Sequence, residues 1–210
     1  MADNDITFNL TFDDVFRDRA QYIQRHSDIE HKSGVKKYAT IDNFIDAQTQ
    51  GITAGVLIPN NSVKFHITGT KFDDALTEIT THGKKKSHWM WYILPSEMST
   101  KSATATFFKL GPGPSYQTTI KDYLNDDTLR NNYITMINAI YNYLYIHKTL
   151  SLDGLKNMFG DDYTHGKLQS SINNFKDILI QTLKNKKEPD APITANITAL
   201  HDILNPKTKT

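Results

Sequence analysis

The chain has 210 residues, a formal net charge of +1, 38% hydrophobic and 22% charged residues, and no cysteine. That balance describes one globular domain of ordinary size, lacks the basic excess of a dedicated nucleic-acid binder, and excludes disulfide staples, thiolate catalysis and cysteine zinc sites. No apolar run approaches the ~18 residues of a membrane span, and Met1-Ala2-Asp3-Asn4-Asp5 is acidic and polar rather than basic then apolar, so a cytoplasmic protein with no membrane partner and no nucleic-acid partner is expected.

Thr11-Phe12-Asp13-Asp14 has the form of a capping box, and Phe12, Val15, Phe16, Ala20 and Ile23 follow at helical spacing. Residues 1–39 therefore read as an N-terminal arm with one helix, ending in a polar, basic linker over 26–39. Thr40 caps a second short helix that carries Ile41, Phe44, Ile45 and Gln48. Residues 51–68 change the pattern. Two β-branched runs flank Pro59-Asn60-Asn61-Ser62, and Val63, Phe65 and Ile67 alternate with Lys64, His66 and Thr68, which predicts a β-hairpin with one wet face. Thr70-Lys71-Phe72-Asp73 is another capping box, and its helix carries Phe72, Ala75, Leu76 and Ile79 before stopping at Gly83.

Ser87 to Leu94 reads as a short helix ended by Pro95, Ala103 to Leu110 is ambiguous, and Gly111-Pro112-Gly113-Pro114 is a breaker. Helical signals resume over Ser115–Leu124 and are strongest over about 128–147, where Leu129, Tyr133, Met136, Ile137, Ile140 and Leu144 share a face. Ser151 caps a short helix to Phe159-Gly160. A long helix then bears Leu168, Ile172, Phe175, Leu179 and Leu183, and a last one bears Ile197, Leu200 and Leu204 before Asn205-Pro206. The expected fold is mainly α: a single compact orthogonal helical domain over 40–205 with a small β-hairpin insertion at 51–68 and a frayed tail at 206–210.

Both tryptophans lie in Lys84-Lys85-Lys86-Ser87-His88-Trp89-Met90-Trp91-Tyr92-Ile93-Leu94-Pro95. From Lys86 onward this run resembles the signature of a family of short, mostly bacterial proteins, a domain of unknown function sometimes mislabelled calpastatin. Further pieces follow in the family's order. Phe44-Ile45-Asp46-Ala47-Gln48 resembles its opening motif, and Phe72 to Ile79 with Gly83 resembles the helix that leads into the signature. Tyr123-Leu124 and Leu129-Arg130 fit its middle. Phe159-Gly160, Asp162, Lys167-Leu168-Gln169-Ser170-Ser171 and Phe175 resemble its second strong motif. The resemblance covers roughly 40–205 and implies an all-α fold. The chain departs from the pattern at the 50–69 insertion, at Ser96 where the family prefers Gln, at Ser96–Lys101 in place of a Gly-Leu-Gly loop, and by two extra residues between Asp162 and Lys167.

A dense aromatic run beside lysines and hydrogen-bonding groups has the makings of a site for a planar or anionic small molecule. In a helix, Trp89 and Trp91 would point about 200° apart. Either both serve the core and a neighbouring helix, or one indole lines a pocket. His88 has the unperturbed pKa for acid–base work and equally suits an anion contact or a core position. Ser87 reads better as a helix cap than as a nucleophile, because adjacent helical residues diverge. Lys84, Lys85 and Lys86 are either a solvated face or an anion site. Lys167, Ser170 and Ser171 share one helical face; their hydroxyls either bond the preceding turn or converge with His88 and Trp89.

The expected function is a small-molecule binding protein with a cleft for a planar anionic metabolite, such as a nucleotide derivative. Its ligand-binding residues would be Lys86, Ser87, His88, Trp89, Trp91, Lys167, Ser170 and Ser171. One alternative is a hydrolase or transferase on such a ligand with His88 as acid–base. Another is a protein-interaction scaffold that uses the N-terminal arm and the hairpin. No motif names a cofactor, and no metal is expected, since the eight histidines form no ligand cluster.

Overall fold

The computed structural model describes residues 39–53, 67–97, 108–110, 115–160 and 162–206. The expected arm helix, residues 26–38 of the 26–39 linker, the Gly111–Pro114 breaker, the tail from 207 and most of 103–110 lie outside the described residues.

Capping side chains start three of the helices. Thr40 and Asn43 close a reciprocal capping box on α1 (Ile41–Gln50), with Thr40 N–H donating to Asn43 Oδ1 at 3.0 Å. Gly51 ends that helix in the left-handed region at φ 68°. The Asp126 carboxylate accepts from Leu129 N–H at 2.9 Å and starts α5 (Asp127–Ile146). Ser151 Oγ accepts from Gly154 N–H at 3.1 Å and starts α6 (Leu152–Phe159). The other helices are α2 (Phe72–His82), α3 (Met90–Ile93), α4 (Ser115–Asn125), α7 (Asp162–Lys186) and α8 (Ala191–Leu204).

The long helix α5 is the axis on which α1, α2, α3, α4 and α8 pack, and α7 packs on α4, α6 and α8. The stripe predicted for α5 is the one buried: Leu129, Tyr133, Met136, Ile137, Ile140 and Leu144. The same holds for Leu168, Ile172, Phe175, Leu179 and Leu183 on α7 and for Ile197, Leu200 and Leu204 on α8. Aromatic rings tie these helices together. Tyr133 stacks on Phe175 with centroids 4.5 Å apart. Tyr123 meets Phe44 and Phe175 edge-on at 5.4 and 5.5 Å.

The expected β-hairpin insertion requires correction. The extended structure among the described residues is one two-residue antiparallel contact, Ile52–Thr53 with Ile67–Thr68 in the register Ile52↔Thr68 and Thr53↔Ile67. It sits beside Gly51, whose carbonyl accepts from Gly69 N–H. Of the expected runs 51–58 and 63–68, residues 54–58 and 63–66, with the turn between them, lie outside the described residues. A period-two run of β-branched residues marks a strand only where a second surface buries one of its faces. Among the described residues the fold class is therefore mainly α, without the hairpin.

Two local expectations also change. Lys71, not Thr70, is the N-cap residue before α2, and it makes no side-chain capping bond. Helix α3 spans four residues and begins after Trp89, so Ser87 is not its cap.

Candidate functional site

The segment between α2 and α3 is held mainly by one carboxylate. Glu78, near the end of α2, receives three hydrogen bonds on the same oxygen: from Lys86 N–H at 2.8 Å, Ser87 N–H at 3.1 Å and Trp89 Nε1–H at 2.7 Å. Burial works to raise the Glu78 carboxyl, but the bonds from Ser87, Lys86 and Trp89 outweigh it and hold the group below its ordinary value. Gly83 makes the preceding turn possible, with φ at 59° and its N–H reaching the Ile79 carbonyl at 3.0 Å. Lys85 N–H donates to the Met158 carbonyl at 2.7 Å, which fixes the segment to the end of α6.

A second set of polar contacts continues from there into the core. Thr70 Oγ1 donates to Ser87 Oγ at 2.6 Å, and Tyr92 Oη both donates to the Thr70 carbonyl at 2.7 Å and accepts from Thr70 N–H at 2.9 Å. The Tyr92 carbonyl accepts from Gln48 Nε2 at 2.7 Å, which also donates to Tyr123 Oη at 2.8 Å. Asn132 on α5 completes the chain by donating to Gln48 Oε1 at 2.8 Å. Burial pushes the Tyr92 and Tyr123 phenols far above their ordinary range, so both remain neutral donors.

The expected site residues divide into three groups. Trp89 is wholly buried, edge-on to Phe159 at 6.4 Å, and its indole N–H is spent on Glu78. Ser171 is wholly buried with its Oγ 3.3 Å from Tyr133 Oη, and Ser170 Oγ accepts from Asn174 Nδ2 at 3.4 Å. Ser87 is engaged with Thr70 and Glu78. These groups hold the fold. Lys86 and His88 face solvent. The His88 imidazole is pushed below its usual pKa, first by burial and then by the Lys85 charge, against an opposing pull from Glu78.

Trp91 and Lys167 form the remaining pair, and they join the first motif to the second. Lys167 Nζ sits 3.7 Å from the centroid of the Trp91 ring. Lys167 is only 3% exposed, whereas Trp91 is partly open to solvent. Burial pushes the Lys167 ammonium down to about 7. An amine so placed changes charge near neutrality, over an aromatic face.

With that geometry in view, the relationship of the chain can be stated. A family model described as "Protein of unknown function (DUF1810)" matches residues 62–188, more than half of the sequence. The chain belongs to that family. The match takes in α2 through α7, and so Glu78, the Trp-rich segment and Lys167. It leaves α1 and α8 of this DUF1810 chain outside. No curated protein and no solved structure matches it. Among the described residues, no helix is long and apolar enough to cross a membrane, and no three His, Asp or Glu side chains cluster as metal ligands would.

Glu78, Tyr92 and Gln48 were not singled out as site residues from sequence. Glu78 had a readable signal: a carboxylate on the helix leading into a run that carries a buried indole N–H needing an acceptor.

Proposed function

We propose that this protein binds a small planar anion, such as a nucleotide derivative, at the Trp91–Lys167 pair. The observation that carries the reading is the 3.7 Å approach of the amine of a buried lysine to a part-exposed indole. Burying an amine beneath a ring is costly for folding alone. A bound anion would favour its charged form, and the Trp91 ring offers a stacking surface. Lys84, Lys85 and Lys86 supply further positive charge on the segment that carries Trp91.

The test is a thermal-shift panel of nucleotides, dinucleotides, sugar phosphates and simple anions, with Lys167→Met alongside. A ligand at 100 times its Kd stabilises by about 2.7 kcal/mol. A shift present in the wild type and lost in the variant supports the reading; shifts of equal size in both refute it.

An enzymatic reading has one observation in its favour. The lowering of the His88 pKa favours the neutral imidazole, the form that takes a proton from a substrate. His88→Gln would then abolish turnover of a ligand found by the panel while leaving its binding intact. The interaction-scaffold reading rests on the 1–39 arm and the 51–68 segment, of which residues 1–38 and 54–66 lie outside the described residues.

A further inference from the structure

We propose that Lys167 is a nucleophilic amine that condenses reversibly with the carbonyl group of a planar anionic aldehyde lying on the Trp91 ring. This rests on the binding reading above and names the chemical class of the ligand.

The argument begins with placement. Lys167 belongs to α7, whose apolar stripe of Leu168, Ile172 and Phe175 is locked into the core, so its backbone is fixed. Trp91 belongs to α3, which is anchored by Glu78 through Trp89 and by Gln48 through the Tyr92 carbonyl. Two independently fixed elements thus bring one amine against one aromatic face at 3.7 Å. A conjugated ring packed beside the amine against the part-exposed indole would present a substituent to the amine. Burial also keeps much of the amine unprotonated near pH 7. Its neutral fraction there is roughly a thousand times that of an ordinary surface lysine. Desolvated lysines of this kind are the ones that form Schiff bases.

The chemistry needs no oxidant and no further reactant. The Lys167 nitrogen lone pair forms a bond to the carbonyl carbon, and the carbonyl π pair moves to oxygen, which takes a proton from water. The nitrogen loses a proton, giving a neutral carbinolamine. Departure of its hydroxyl as water leaves a carbon–nitrogen double bond, so amine and aldehyde become imine and water. Hydrolysis reverses each step.

The probe is pyridoxal 5′-phosphate, a planar anionic aldehyde. Pyridoxine 5′-phosphate, which carries an alcohol in place of the aldehyde, is the control. The full chain is incubated with each near pH 7.5, treated with borohydride and mapped by peptide mass spectrometry. The expected result is a reduced adduct of the aldehyde concentrated on Lys167, at least about tenfold over any surface lysine. Pyridoxine 5′-phosphate should raise the melting temperature and leave no adduct. Labelling spread evenly over surface lysines overturns the proposal and needs no variant to be seen. A thermal shift with both compounds but an unlabelled Lys167 overturns imine formation and leaves the binding reading standing. An adduct on Lys167 without any shift from the alcohol supports the reactive amine and sinks the anion site. Lys167→Met, mapped alongside, should lose that adduct while keeping the background on other lysines.

Discussion

Replacing Lys167 by methionine should stabilise this protein, and by an amount that depends on pH. Methionine has a similar length, no charge and the flexibility to fill the same space beneath Trp91. In the unfolded chain the Lys167 amine titrates near its ordinary 10.5; in the folded chain burial brings it to about 7. Between those values the unfolded state holds one more proton, so the stability of the wild type rises with pH across that interval. Below pH 7 the amine is charged in both states and the whole burial cost is felt. The displacement corresponds to about 5 kcal/mol as a ceiling. Attraction of the ammonium to the indole offsets roughly 1 kcal/mol of any gain on removing it. The variant is therefore expected to be up to about 4 kcal/mol more stable at pH 6.5 and nearly equal to the wild type at pH 10. Urea unfolding followed by circular dichroism at several pH values measures both quantities. A variant that is less stable than the wild type, with the same pH slope, would refute the burial argument and mean that the lysine contributes to the core.

The opposite sign holds at the alkaline end. Burial raises the phenols of Tyr92, Tyr123 and Tyr133 far above 10, so stability should fall as pH rises past 10 and the unfolded tyrosines ionise; melting temperature across pH 9–11 checks this. Glu78→Ala should cost roughly 2–3 kcal/mol, because it strands the Trp89 indole N–H and two backbone N–H groups; a red shift of tryptophan emission should accompany the loss, and unchanged emission would contradict the anchoring role. Gly154→Ala should destabilise by about 3 kcal/mol or more, since a Cβ there meets the Thr149 backbone carbonyl, which cannot withdraw. Glu188→Ala should cost roughly 2 kcal/mol by leaving the buried Arg130 guanidinium without its two-pronged partner, whose contacts are 2.7 and 3.3 Å, with only Asp127 and the Leu124 carbonyl remaining; both variants are read by thermal melting.

Much of the helical architecture was legible because it depends on local periodicity. The apolar stripes of α5, α7 and α8 recur every three to four residues, and the burial follows them residue for residue. Thr40 and Ser151 were readable as caps for the same reason: the bond spans only three residues. What failed to show was set by partners far along the chain. Thr70 had the spacing of a cap, yet its hydroxyl is taken by Ser87, and Lys71 starts the helix instead. The two tryptophans were placed on helical spokes, but α3 begins only at Met90, and the orientation of Trp89 is set by Glu78, eleven residues earlier. The alternation over 63–68 was real in the sequence but carried no information about a surface to cover it. At the site itself, convergence of Lys167, Ser170 and Ser171 with His88 and Trp89 was one of two alternatives the sequence left open; Lys167 lies over Trp91.

The family match and the folding unit have different edges. Residues 62–188 end before α8 and begin after α1. Yet α8 buries Ile193, Ile197, Leu200 and Leu204, and α1 buries Phe44 and Ala47 and supplies Gln48 to the Tyr92–Tyr123 hydrogen bonds. A fragment trimmed to the match would bare the flanks of α5 and α7 and empty the polar socket behind α3. It would be expected to aggregate rather than to report on Trp91 and Lys167. For this chain, the part shared with relatives holds Trp91 and Lys167, and the parts flanking it keep that pair in place.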